Sequence, residues 1–269
     1  MEKNEFHRLF PGPEPVIGCV HLLPLPGSPR YKGSVNEVLE RALKEISIYQ
    51  NHDIDGIIIE NFGDIPFLPG NLQAETIAAM SIIVYESVKA FRGAVGVNVL
   101  RNDAYSALSV AHAAGAHFIR VNVHTGVKIT DQGMVEGRSY ETLRLKKNLG
   151  SRALILADAG VKHAVSPGGD DLENEVSDLT RRGMVDGIII TGKSTGKEPG
   201  INDLKVARQN TDLPLLTGSG CTPENIGSYA GLADGFIVGS YFKKNGKAEN
   251  ELDETRVAGI MQSIRKVRS

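Results

Sequence analysis

Several short apolar runs in this chain end in a polar side chain able to do chemistry. CVH ends at His21, GIIIE at Glu60 with Asn61 directly after it, and VGVN at Asn98. FIRVN carries Arg120 and Asn122, LILAD ends at Asp158, and GIIIT ends at Thr191. Glu60 and Asp158 are carboxylates suited to general acid–base work, and Arg120 would stabilise developing negative charge. Lys162 and His163, just beyond Asp158 in DAGVKHAVSPGG, complete the catalytic candidates, with Lys162 an alternative to Arg120. Asn61, Asn98 and Asn122 can read hydroxyl groups, since an amide both donates and accepts. His21 and Thr191 join them as substrate-binding candidates. A plainer reading is an Arg120–Asp158 or Arg120–Glu60 ion pair that only fills space, although unpaired polar groups in such a place would be costly.

Two glycine-rich turns suggest an anion. Thr217-Gly218-Ser219-Gly220 precedes Cys221-Thr222-Pro223, and Gly239-Ser240 follows a later apolar run. Backbone N–H groups at Gly218, Ser219, Gly220, Gly239 and Ser240 would cradle a phosphate, because glycine lets the chain approach closely. Thr222 as N-cap with Pro223 at the first helical position would add a helix dipole. Thr191-Gly192-Lys193-Ser194-Thr195-Gly196 resembles half a P-loop but lacks the first glycine, which argues against nucleotide hydrolysis and for a loop over the ligand. No HExxH, CxxC or clustered His/Asp spacing is present, so no dedicated metal site is expected. Asp158 with Glu60 could still hold a divalent ion beside a phosphate. His7, His52, His112 and His117 read as ordinary surface residues, and without GxSxG covalent acyl chemistry is disfavoured.

The elements that must position these groups repeat along the whole chain. Apolar, β-branched runs span 16–20, 56–60, 94–100, 117–123, 153–158, 187–191, 213–217 and 235–239. Helical spacing fills the gaps, as in 35–49, where Val38, Leu39, Ala42, Ile46 and Tyr49 share a face. The other helical stretches lie near 72–91, 103–114, 139–148, 170–182, 202–209, 223–230 and 253–267. Eight strands alternating with eight helices match an α/β fold of the (β/α)8 TIM-barrel type better than an open doubly wound sheet. No linker divides residues 1–269, read as one barrel domain with residues 1–14 as an N-terminal extension. Asp-Gly opens three of the strands, as DGIIIE at Asp55, DGIIIT at Asp186 and DGFIVG at Asp234. The first two lie about half a chain apart, which fits either a duplicated half-barrel or a favourable turn used repeatedly.

Alternation then sets directions. Ile119, Val121 and Val123 must face the helices, which turns Arg120 and Asn122 into the barrel. By the same logic Val95, Val97 and Val99 face outward and Gly96, Asn98 and Leu100 inward. Asp158 shares parity with Leu154 and Leu156. Glu60 and Asn61 are adjacent, so only one continues the inward row unless the backbone bends. Barrel enzymes place their chemistry at the C-terminal strand ends, where all these polar residues fall.

Composition narrows the partners. The 269 residues include 30 glycines with no three-residue period, 41% hydrophobic content and a formal charge of −2. This excludes collagen-like and disordered chains, and gives no footprint for nucleic acid or anionic membranes. No apolar stretch approaches the ~18 residues of a membrane span. The first residues do not read as a signal peptide, and Cys19 and Cys221 do not suggest a disulfide framework. The expected setting is a reducing cytoplasm, the expected partner a phosphorylated small molecule, and a homo-oligomer is the usual arrangement for such barrels.

Taken together, VIGCVHLLPLPGSP, DGIIIENFGDIPF, VGVNVLRND, FIRVNVHTG, ADAGVKHA and the late TGSG resemble the BtpA/SgcQ family from about Val16 to Phe242. That resemblance implies a barrel of the ribulose-phosphate-binding superfamily. It points to His21, Glu60, Asn61, Asn98, Arg120, Asn122, Asp158, Lys162, His163 and Gly218–Gly220. Some members of the family are named for photosystem I biogenesis, others as nucleosidases. The sequence therefore leaves two hypotheses. One is an enzyme acting on a phosphorylated sugar or nucleoside-like molecule, by nucleosidase-like cleavage or by isomerase or epimerase chemistry. The other is a non-catalytic assembly factor that uses the barrel as a scaffold.

Overall fold

Eight parallel strands close into a barrel in the order β1-β11-β10-β9-β7-β4-β3-β2 in the computed structural model, which describes residues 5–161, 164–192 and 200–268. They are β1 (Val16–His21), β2 (Gly56–Glu60), β3 (Ala94–Asn98), β4 (Phe118–Val121), β7 (Leu154–Ala159), β9 (Gly187–Ile190), β10 (Leu215–Thr217) and β11 (Gly235–Val238). Each coincides with one of the apolar runs. Helices follow where the spacing predicts them, among them α2 (Val35–Asn51), α3 (Ala74–Ala90), α4 (Ala104–Ala114), α5 (Ser139–Leu149), α6 (Leu172–Arg181), α7 (Ile201–Asn210) and α8 (Glu254–Arg268). The Ser34, Asp103 and Asp171 side chains cap the amides of Glu37, Ser106 and Asn174 at three of their N-termini. No helix among the described residues is long and apolar enough to cross a membrane.

Strand alternation sorts the apolar side chains into two layers. Val95, Val97, Ile119, Val121, Ile155 and Ile188 pack outward beneath the helices. Ile17, Cys19, Ile58, Phe118, Leu156, Ile189, Leu216 and Ile237 fill the interior. The interior is crowded enough to dictate a glycine at position 96. A Cβ there would come within 2.2 Å of the Phe118 ring.

The Asp-Gly echo has a local physical cause. Asp55, Asp186 and Asp234 each accept, through Oδ2, the N–H of a residue on the neighbouring strand: Val16, Ile155 and Leu215, all at 2.8 Å. Each aspartate then donates its own amide to the carbonyl of that same residue. The aspartate thereby ties down the entry of the adjacent strand, which is reason enough for the motif to recur.

Three features depart from the sequence expectation. In the segment before β1, α1 (Glu5–Leu9) and the residue just beyond it bring Phe6 and Phe10 into the barrel floor, where Phe10 meets Phe118 with ring centroids 6.1 Å apart. The helix expected from Pro223 is a single 3-10 turn over Ile226–Tyr229. A small sheet of β5 (Val127–Thr130), β6 (Gly133–Glu136) and β8 (Ala164–Val165) was not expected at all, and it forms beside the barrel mouth.

Candidate functional site

The interior row turns from apolar to polar at the last or next-to-last residue of the strands. Ile58 is followed on its face by Glu60, Gly96 by Asn98, Phe118 by Arg120, and Leu156 by Asp158. Arg120 lies at the centre. Its Nε and Nη2 donate to Asp158 Oδ1 and Oδ2 at 3.0 and 3.1 Å, and its Nη1 lies 3.4 Å from Glu60 Oε1. Burial works against the guanidinium charge, but Asp158 and then Glu60 outweigh it and raise the Arg120 pKa above its ordinary value. Asn122 Nδ2 donates to Asp158 Oδ2 at 2.9 Å, and Asn98 Nδ2 to Glu60 Oε1 at 3.0 Å. The expected ion pair is therefore present twice over. Between Asp158 and Glu60, where a divalent ion could have sat, the Arg120 guanidinium bridges the two carboxylates.

Above this floor opens a cavity of about 440 Å³ lined by His21, Glu60, Asn98, Arg120, Asn122 and Asp158, and by Gly218, Ser219, Gly220, Gly239 and Ser240. Asp158 has both oxygens committed to Arg120 and Asn122. Glu60 keeps Oε2 turned toward His21, whose Nε2 is 3.5 Å away. His21 Nδ1 donates to the Ala248 carbonyl at 2.8 Å, which leaves the Nε2 lone pair facing Glu60 in the neutral ring. Phe62 stacks on the His21 ring at 4.4 Å and 21°, fixing its plane. Asn122 is buried, and its Oδ1 has no hydrogen-bond partner among the described residues.

Two sequence-predicted residues lie elsewhere. Glu60 takes the inward direction, so Asn61 points away. Its amide accepts from Leu100 N at 2.6 Å and donates to Leu100 O at 3.0 Å, bracing the loop after β3. Thr191 donates to the Gly160 carbonyl at 2.6 Å and does not line the cavity. His124 leaves the inward row because β4 has ended, and its Nε2 donates to Gly183 O. Lys162, His163 and residues 193–199 of the loop after β9 lie outside the described residues.

The glycine turns reach the mouth, but in altered form. Gly218 donates its amide to Ile190 O at 2.8 Å and so continues the sheet. Ser219 Oγ accepts from Gly192 N. Gly220 adopts a φ of +69°, which suits glycine. The single 3-10 turn that follows offers no helix dipole. Cys19, Phe62, Phe67, Arg101 and Asp131 also line the cavity, at positions outside the candidate site residues of the sequence. Cys19 had a signal, since it shares strand parity with His21.

Comparison with known proteins places this geometry. The model of the BtpA family matches residues 13–266. An uncharacterized protein of Pyrococcus furiosus is 46% identical over 243 residues, covering 90% of this chain and 92% of its own. The photosystem I biogenesis protein BtpA of Synechocystis sp. is 42% identical over 261 residues, covering 97% and 91%. Among solved structures, N-(5'-phosphoribosyl)anthranilate isomerase from Pyrococcus furiosus superimposes with a TM-score of 0.57 at 14% identity, covering 94% of this chain and 99% of its own. That last likeness is one of fold.

Proposed function

The chain belongs to the BtpA family, and we propose that it is an enzyme acting on a phosphorylated sugar or nucleoside-like molecule, with cleavage at the anomeric carbon as its chemistry. The observation that carries this reading is the charge of the cavity floor. Glu60 and Asp158 contribute two negative charges and Arg120 one positive, all within hydrogen-bonding contact. A net negative floor favours a centre that becomes positive in the transition state, such as an oxocarbenium-like carbon. An isomerase or epimerase would be served by donors aimed at a developing enolate oxygen, and the Arg120 donors are directed at two carboxylates instead.

The roles follow from which atoms remain available. Glu60 Oε2, beside His21, is the base that would take a proton from an attacking water. Asp158 is a positioning residue that holds Arg120 and Asn122. Asn122 Oδ1 would accept from a sugar hydroxyl. The turns at Gly220, Gly239 and Ser240 would meet the phosphate, at a position that many barrels use for that purpose. A cavity of about 440 Å³ suits a ligand of this size.

The test has two stages. Inorganic phosphate and ribose 5-phosphate should raise the melting temperature by binding the folded state. A panel of nucleosides and nucleoside monophosphates should then show base release that Glu60→Gln reduces by a factor of about 100 or more, the scale expected of a positioned base. Turnover unaffected by Glu60→Gln overturns the mechanism. The name of the Synechocystis relative supports a second reading, a non-catalytic assembly factor. No turnover on any substrate and no thermal shift with either phosphate would favour it.

A further inference from the structure

The geometry points to a zinc-class divalent-cation site formed by Cys19 Sγ, His21 Nε2 and Glu60 Oε2, with a fourth position open to the mouth cavity. Among the described residues this trio brings one ligand atom each to within 4.8 Å of the others. Cys19 and His21 are two apart on β1 and so share the inward face, and Glu60 is the register partner of His21 on β2. Two adjacent strands thus deliver a thiol, an imidazole and a carboxylate to one point.

Three details distinguish this cluster from a chance gathering. First, His21 Nε2 and Glu60 Oε2 are 3.5 Å apart, long for a hydrogen bond. Bonds of about 2.0–2.3 Å to a tetrahedral zinc put neighbouring ligand atoms roughly 3.3–3.7 Å apart, so that spacing suits two ligands of one ion. Second, His21 Nδ1 donates to the Ala248 carbonyl at 2.8 Å, the outer bond that metal-binding histidines ordinarily make and that aims Nε2 at the ion. Third, Glu60 Oε1 is held by Asn98 and Arg120, so that Oε2 is presented in a fixed direction. Gly239 keeps the space in front of the cluster bare. A Cβ there would touch Cys19 Sγ and His21 Nε2, both at 3.5 Å.

The donor set selects the metal class. Thiolate plus imidazole favours zinc over magnesium or calcium, which prefer all-oxygen sites. Thiolate and carboxylate together neutralise the charge of the ion. Three protein ligands and one open position are the pattern of a catalytic site, where the ion holds a water or a substrate oxygen. When loaded, the site would present a metal-bound water in place of the one that Glu60 alone would activate.

The inference does not rest on the sugar-phosphate reading, and its test needs no substrate. Chelator-treated full-length protein is titrated with Zn²⁺ by calorimetry, and with Co²⁺ by absorption spectroscopy. One equivalent should bind, Zn²⁺ should raise the melting temperature, and Co²⁺ should show a thiolate charge-transfer band in the near ultraviolet. Outer partners of metal ligands are worth 10–100-fold in affinity, so losing a ligand in Cys19→Ala should cost on the order of 100-fold or more and abolish the band. Cys221→Ser should leave both intact. Should Cys19→Ala fail to fold, His21→Gln, read by the same titrations, decides in its place. No saturable binding to the unaltered protein, or equal affinity after loss of Cys19 or His21, overturns the site.

Discussion

Arg120 and Asp158 meet fork to fork inside the barrel, with Nε on Oδ1 at 3.0 Å and Nη2 on Oδ2 at 3.1 Å. Both side chains are almost wholly buried, so desolvation offsets much of their attraction, but removing one partner strands the other as an uncompensated buried charge. Asp158→Asn removes one charge and leaves the other in place. The expected loss is about 3–5 kcal/mol in equilibrium urea unfolding, toward the lower end because Glu60 still faces Arg120. A loss below about 1 kcal/mol would mean that the guanidinium finds water or another partner at the floor.

The barrel floor yields a second prediction. Phe10 is 3% exposed and packs with Phe6 and Phe118 in the interior cluster, although it belongs to the segment before the first strand. Phe10→Ala should cost about 3–5 kcal/mol, as a truncated core aromatic does. Gly96→Ala should cost about 1–3 kcal/mol by overpacking against Phe118. Combining Gly96→Ala with Phe118→Leu should recover part of that loss, measured as a double-mutant cycle. Additive losses would show that the ring at position 118 is not what requires glycine.

His124 gives the molecule a pH dependence. Burial lowers its pKa below 6.5, against the smaller opposing effect of its bond to Gly183 O, and its Nδ1 has no partner among the described residues. His117 is shifted the same way, mainly by burial, with its Nδ1 accepting from Val95 N. In both cases the unfolded chain takes up a proton at a higher pH than the folded one. Their contribution is therefore fully present above pH 6.5 and is lost as the pH falls through the folded values. Stability in urea should decline below pH 6.5 by up to about 1.4 kcal/mol from His124 for each pH unit between its two values, with a smaller share from His117, which is exposed and screened by solvent. His124→Gln should flatten that decline. An unchanged slope in the variant would assign the effect to other groups.

The fold was legible because its strands are short runs with one dominant period, and their ends were marked by polar residues of fixed parity. Asn98, Arg120 and Asn122 could be turned into the barrel from alternation alone. The rest depended on interactions that pattern does not carry. The five residues of α1 are too few for a periodic signal, and Phe6 and Phe10 acquire their role only from the floor they meet. The stretch after Pro223 begins as a helix would, with the Asn225 side chain accepting from the Thr222 amide, but it shrinks to a 3-10 turn that stops short of Gly231, whose φ of +73° leaves the helical region. Asn61 was indistinguishable from Glu60 by position until the backbone chose which of them faces inward. Cys19 joins His21 and Glu60 only across the β1–β2 register, a relation between strands that no contiguous motif contains.

Asn122 supplies the final prediction. Its Nδ2 donates to Asp158 Oδ2 at 2.9 Å, and its Oδ1 has no partner among the described residues. Asn122→Asp replaces that donor with a second carboxylate against Asp158, and two carboxylates at that distance cannot both ionise cheaply. The new carboxyl would stay protonated well above its unfolded value of about 3.9. Stability linked to a raised carboxyl pKa is fully present below the unfolded value and is lost as the pH rises through the folded one. The variant should therefore match the unaltered protein near pH 4 and fall progressively behind it toward pH 7, measured as the difference between their unfolding free energies. Asn122→Ala lacks the new charge and should show a deficit that does not change with pH. A constant deficit in Asn122→Asp would mean that Arg120 or solvent separates the two carboxylates, and that Asn122 is not held against Asp158 as the hydrogen bond indicates.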